Sequence, residues 1–319
     1  MLIKKKNIDI VKNFVFGPVP SRRLGLSLGV DLVPFKTCSY DCIYCQLGRT
    51  TTKTIKRDEY VSISEIIESL KVKLSTKPDY ITLSGSGEPT LYSKIGGLIE
   101  KIKGLTKIPV AVLTNGSLLW IRDVREQLKD ADLILPSLDA GDETHFSYVN
   151  RPHPEISFST MVDGLISFRD EFKGKIWLEV FLIDGVTGTE SAIRKIAGIA
   201  KEINPDKIQL NTVTRPPTEK FAFEVLKDKL SKWVKHFGKN AEIIADFKRI
   251  SRCNISRQLK SIQDEIIAMI SRRPCTSEDI SIGLSLKRDK TTKYIDDLMK
   301  SNKISCVRKG SKIFFLIKH

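Results

Sequence analysis

From about residue 28 to 236, short apolar β-rich runs alternate with amphipathic stretches of helical period. Strands are predicted near 28–33 (LGVDLV), 80–84, 109–113, 132–136, 176–183 (IWLEVFLI) and 207–213. Several are nearly continuous apolar runs, as parallel strands covered by helices should be. Helices are predicted at 62–74, 93–103, 120–130, 157–172, 190–203 and 220–237, the first starting after a Ser62 cap. Six strand–helix units in succession predict an α/β fold, either a barrel or an open doubly wound sheet. In both, chemistry sits where strands end and loops begin.

The pattern changes near residue 248. Stretches 261–273, 276–286 and 287–302 read as three helices, and 303–318 as a hairpin turning at Arg308, Lys309 and Gly310. That order predicts a winged helix-turn-helix. The expected division is 1–247 and 248–319, with the boundary in the basic, polar stretch 246–258.

Charge sharpens this division. The 319 residues carry a net charge of +15, and residues 248–319 supply two thirds of the excess. A basic appendage that meets something anionic is the functional reading; a solvated lysine-rich surface is the bland one. No apolar run approaches the ~18 residues of a membrane helix. The start, MLIKKKNIDIVKN, lacks the apolar stretch of a secretory signal. A soluble cytoplasmic protein is expected.

Three of the six cysteines, Cys38, Cys42 and Cys45, fall in one C-x3-C-x2-C loop directly after the first predicted strand. Three thiolates on one loop suit three irons of a four-iron cluster, which ordinarily takes four cysteines. With no fourth cysteine nearby, one iron would stay open to a substrate or cofactor. Structural zinc is the rival, but it wants a fourth cysteine or a regularly spaced histidine, and His145 lies 100 residues on. Cys253, Cys275 and Cys306 lack cluster spacing.

With this loop the chain resembles the radical S-adenosylmethionine (radical SAM) enzymes, which carry an aromatic before the third cysteine, here Tyr44. The resemblance covers about residues 14–247. It is strongest to a stand-alone group sharing GPVPSRRLG…CIYCQLG (Gly17–Gly48), SLDAGDETHF…NRPHP and IQLNTVTRPP, often labelled wyosine-synthase-like. No cysteine precedes Cys38, so the second cluster of the wyosine synthases is not expected here.

The resemblance implies a partial (β/α)6 barrel. It implies a [4Fe-4S] cluster on Cys38, Cys42 and Cys45, with the methionine group of S-adenosylmethionine chelating the open iron. Reductive cleavage would then give a 5′-deoxyadenosyl radical. Ser86-Gly87-Glu88-Pro89 matches the family's Gly-Gly-Glu-Pro methionine motif with serine for the first glycine, which requires that Ser86 avoid positive φ. Thr114, Asn115, Ser137 and Asp139 match positions that bind the cofactor's ribose and carboxylate, and Ile183 an apolar contact to adenine. A one-electron reductant such as flavodoxin or ferredoxin is implied.

Arg22 and Arg23 read either as surface residues or as ligands of an anionic substrate group. Arg151 and His153 sit on a rigid loop, and Gln209 and Asn211 on the last strand. Lys287, Arg288, Lys290 and Lys293, with Arg308, Lys309 and Lys312 on the wing, form a credible phosphate-contacting face. An RNA-modifying enzyme leads. The alternatives are an iron–sulfur-dependent DNA-binding regulator, and a radical enzyme acting on a protein or small molecule.

Overall fold

The computed structural model describes residues 14–244, 262–284 and 286–318. The expected boundary region, Cys253 and the basic start fall outside these residues. An antiparallel hairpin, β1 (Val15–Ser21) and β2 (Gly25–Val30), leads into two short paired segments, β3 (Thr37–Cys38) and β4 (Thr52–Lys53). The chain then runs α1 (Ile63–Lys73), β5 (Tyr80–Leu83), α2 (Ile95–Leu105), β6 (Val110–Thr114), α3 (Arg122–Leu128) and β7 (Leu133–Pro136). There follow α4 (Glu143–Val149), α5 (Phe158–Glu171), β8 (Lys175–Leu182), α6 (Glu190–Ile203), β9 (Lys207–Thr212), α7 (Lys227–Trp233) and β10 (Ala241–Ile243).

One eight-stranded sheet has the order β1-β2-β5-β6-β7-β8-β9-β10, parallel throughout except for the β1–β2 pair. The sheet curls. Flat, it would hold β2 and β9 five strand spacings of about 4.8 Å apart. Yet Arg22, in the β1–β2 turn, donates to Asn211 Oδ1 on β9 at 3.1 Å, and Arg23 pairs with Glu179 on β8.

Helix starts follow the local chemistry. Ser62 caps α1 in a full capping box with Glu65, and Ser157 and Thr189 cap α5 and α6. Strand β8 explains how an apolar run serves two environments. Ile176, Leu178, Val180 and Leu182 join the main core, while alternate residues, Glu179 and Phe181, face the other way. On β9, Ile208 and Leu210 belong to that core, and Gln209 and Asn211 alternate with them.

The structure corrects the expected elements in five places. β1 precedes the first strand read from the sequence; its prolines are tolerated because it is an edge strand. β10 and α4 are too short to show periodicity. Residues 220–226 are not helical: the Phe223 carbonyl accepts from Asp184 N, and Val225 N donates to Thr212 Oγ1, so strand-end groups take the bonds a helix would need. The C-terminal hairpin turns at Gly310 and Ser311, one residue later than expected, with Gly310 at φ +56.

The C-terminal part comprises α8 (Ile262–Ile270), α9 (Ser277–Gly283), α10 (Arg288–Lys300) and the antiparallel hairpin β11 (Ile304–Lys309) and β12 (Lys312–Ile317). It has its own apolar cluster around Ile266, Met269, Cys275, Ile280, Ile295 and Leu298, against which Val19 of β1 packs. Among the described residues, no helix is long and apolar enough to cross a membrane.

Candidate functional site at the mouth of the curled sheet

Strand ends and the loops after them converge on the cysteine loop. Cys38 ends β3, and the loop to Cys45 is pinned by backbone bonds from Asp41 N and Ile43 N to the carbonyls of Asn150 and Val149. The turn after β5 presses against it. Glu88 N donates to the Thr37 carbonyl, and a Cβ on Gly87 would lie 1.8 Å from that same oxygen. Only glycine fits there, because backbone meets backbone. Ser86 is not at positive φ, which meets the condition set by its sequence. Its hydroxyl donates to Asp31, and its N–H donates to Asp31 Oδ1 at 3.0 Å. Asp31, just past β2, is an anchor that sequence reasoning missed.

Cys38, Cys42 and Cys45 are free thiols. Asn115 Nδ2 approaches Cys38 Sγ at 3.6 Å and Asn150 Nδ2 approaches Cys42 Sγ at 3.5 Å. Desolvation pushes the Cys38 thiol up to about 12, with Glu88 adding to the effect. Desolvation, then the neighbouring Cys38, pushes Cys42 up as well, and desolvation raises Cys45. The bare loop therefore resists thiolate formation, and a bound cation or cationic cluster would reverse that balance. Among the described residues, no three His, Cys, Asp or Glu side chains are placed to share one metal ion. As a donor set, three thiols on one loop suit an iron–sulfur cluster, whose irons are held by separate cysteines.

Glu88 is buried and accepts four hydrogen bonds. Thr90 N, Thr90 Oγ1 and Thr114 Oγ1 reach Oε1 at 3.0, 2.6 and 2.6 Å, and Asn115 N reaches Oε2 at 2.7 Å. Burial raises its pKa nonetheless. Asn115 also donates to Ser39 Oγ at 2.9 Å. Tyr44 stacks on Phe181, ring centroids 4.0 Å apart, and its hydroxyl donates to Asp139. Asp139 further accepts from Asn150 Nδ2 at 2.9 Å and Phe181 N at 3.1 Å. Burial pushes Asp139 up to about 6. Asn150 thus joins this carboxylate to a cysteine sulfur. It stood in a loop singled out from the sequence for Arg151 and His153 instead. Arg151 pairs with Glu219 at 2.7 Å, and His153 N donates to the Ser39 carbonyl at 2.8 Å.

Ser137 follows β7, half-buried, in a bridge with Glu179. Ile183 is fully buried behind the cysteine loop with Ile43 and Val149. Cys275 is buried in the C-terminal cluster and Cys306 is exposed.

Arg22 and Arg23 are not surface arginines. Arg23 pairs with Glu179, which also accepts from Asn211 Nδ2 at 2.7 Å. Burial alone would raise Glu179, but the guanidinium of Arg23 and the Asn211 hydrogen bond hold it below the usual carboxylate range. Glu179 was missed in the apolar run IWLEVFLI, where a lone charge at an alternate position was the available signal. Arg215, after β9, donates to the Pro274 carbonyl and pairs with Asp279 at 3.1 Å. Lys309 donates inward to the carbonyls of Val213 and Arg215, at 2.7 and 3.1 Å, rather than outward from the hairpin as the wing reading expected. The reason is that uncapped strand-end carbonyls lie beneath it.

A curled, mostly parallel α/β sheet thus carries three free thiols on the loop at its mouth. The match extends to family: residues 32–196 fit the model of the radical SAM superfamily, and the chain belongs to that superfamily. It is an enzyme whose substrate is not fixed by membership. The cofactors that membership brings are S-adenosylmethionine and a [4Fe-4S] cluster. The chain is 36% identical to a UPF0026 protein of Methanocaldococcus jannaschii, over 94% of this chain and 95% of that one. It is 41% identical to a protein named GTPase Obg from Brachyspira hyodysenteriae over 91% of its own length, but spans only 43% of that relative. In fold it is similar to a radical SAM methyltransferase from Sphaerobacter thermophilus, with a TM-score of 0.53 and 15% identity over 68% of this chain and 65% of that one.

Proposed function

We propose that Cys38, Cys42 and Cys45 hold the [4Fe-4S] cluster, and that the core domain, residues 1–247, acts as a partial (β/α)6 barrel of radical SAM type. The carrying observation is the meeting of three free thiols with two asparagine amides, Asn115 and Asn150, from two other strand-end loops. Together the two cofactors supply a 5′-deoxyadenosyl radical. The chain's own residues prepare the place. Asn115 and Asn150 donate toward sulfur, which orients the ligands and favours the reduced state. Glu88 Oε1 is filled by three donors, whereas Oε2 has one, leaving a lone-pair site for the methionine ammonium. Ser86, Gly87, Thr114, Ser137, Asp139 and Ile183 complete the cofactor site, and Tyr44, held by Phe181 and Asp139, screens it from water.

The C-terminal helices and hairpin act as a winged helix that presents RNA to the mouth. The exposed cations of α10, Lys287, Arg288, Lys290 and Lys293, support this reading. A cytoplasmic location and an electron donor of flavodoxin or ferredoxin type complete it.

The test is anaerobic. After reconstitution with iron and sulfide, dithionite and S-adenosylmethionine should yield 5′-deoxyadenosine, and Cys42→Ala should abolish it. Unchanged turnover in a cluster-free Cys42→Ala protein would overturn the assignment. Comparing modified nucleosides with and without the gene tests the RNA reading.

A further inference from the structure

A cavity of about 490 Å³ lies between the cysteine loop and the C-terminal part. It is lined by Lys36, Ser86 and the segment Gln46–Arg49 directly after Cys45, by Pro216–Thr218, and by Ile270–Pro274 with the end of β12. The volume is that of a small-molecule site. The lining contains four cations, Lys36, Arg49, Arg272 and Arg273, and no carboxylate.

The acids in and around this region are already committed. Glu179 is paired with Arg23, Asp279 with Arg215, and Asp31 lies 3.6 Å from Arg272. Arg49 is held by Asp41 and Glu219. Among the described residues, Lys36 and Arg273 make no direct ion pair with a carboxylate; Arg273 helps Arg215 hold the Asp279 carboxyl down, and both cations line the cavity. Nearby, Arg22 is held down to about 10, by burial first and then by Arg23, Arg215 and Arg273, so guanidiniums crowd this side of the mouth. Four cations in the lining, with no carboxylate among the lining residues, favour a ligand of more than one negative charge. A phosphate monoester carries roughly −1.5 to −2 near pH 7, and a single carboxylate carries half that. Arg and Lys are also the residues suited to phosphate.

We propose that this cavity binds a phosphate group of the substrate between Lys36 and Arg273, so that the C-terminal part supplies half of the substrate site. The proposal names the substrate class for the function above. It rests on that reading for the reaction but not for binding. The space exceeds a bare phosphate and suits a phosphorylated unit of about mononucleotide size.

Calorimetry on the full chain tests it, with and without reconstituted cluster. The probes are uridine 5′-monophosphate, uridine, inorganic phosphate and a short single-stranded RNA. The monophosphate should bind at least about tenfold more tightly than uridine. Arg273→Gln and Lys36→Gln should each lose about tenfold, and Arg273→Lys should restore part of the loss. Binding of the RNA alone, with the same sensitivity to Arg273→Gln, would also support the proposal and place the phosphate in a polymer. Equal binding of uridine and its monophosphate, or indifference of every phosphate probe to both Gln variants, would overturn it. Binding without cluster uptake would separate failure of the radical SAM site from failure of this one.

Discussion

The two sides of the mouth bury carboxylates by opposite means. On the cysteine side, Glu88 and Asp139 are neutralised by N–H and O–H donors, with no cation in hydrogen-bonding contact, and both are pushed up. On the other side, Glu179 and Asp279 face arginines, and both are pulled down despite burial. Burial is common to all four, so the partner decides the sign. Carboxylates met only by neutral donors are prepared for a cationic group. The guanidinium-rich side is prepared for an anion. The mouth is therefore polarised before anything binds.

The largest expected effect tests the packing that holds the cysteine side together. Gly87→Ala would force the cysteine loop off the turn after β5, since the added carbon meets Thr37 oxygen at 1.8 Å. Iron incorporation, read by visible absorption, should fall to near background. Next, Glu179→Gln leaves Arg23 buried without its counter-charge and should cost about 3 kcal/mol in denaturant unfolding. Glu88→Gln removes an acceptor among neutral donors and should cost less, about 1–3 kcal/mol. If Glu88→Gln proved the more damaging, the contrast drawn between the two sides would fail.

Acidity separates the sides further. The folded-state pKa of Asp139, about 6, lies above the unfolded value of about 3.9. The folded state then binds the extra proton between these values, so this contribution to stability declines as pH rises from about 4 to 6. Asp139→Asn should remove that slope from the apoprotein's stability profile. Glu179 works in the other direction. Its folded pKa is lowered, so its contribution is present above the unfolded value and is lost as pH falls through the folded one. Smallest is Thr276→Ala. It removes the cap of α9, whose capping box with Asp279 also presents that carboxylate to Arg215, and should cost about 1 kcal/mol by thermal unfolding.

Much of the cysteine side was legible because it is local. The three cysteines, Tyr44, Ser86 to Glu88 and Asn115 lie at strand ends, where spacing along the chain fixes position in space. Ser62 announced its helix for the same reason, since a cap acts within a few residues. The arginine side was not legible. Arg22 and Arg23 reach Asn211 and Glu179 only because the sheet curls through more than half its strands. Asn150 and Asp31 depend likewise on loops distant in sequence.

By itself, the sequence determined the α/β alternation and the cysteine motif with the Ser86–Pro89 turn that follows it. These are set by hydrophobic period, turn chemistry and ligand spacing, all short-range properties. The tertiary structure alone decided that Lys309 turns inward, that arginines crowd one side of the mouth, and that the C-terminal part closes a cavity beside the cysteine loop. Those outcomes depend on which charges find partners across the fold, and pairing at a distance leaves no trace in a local pattern.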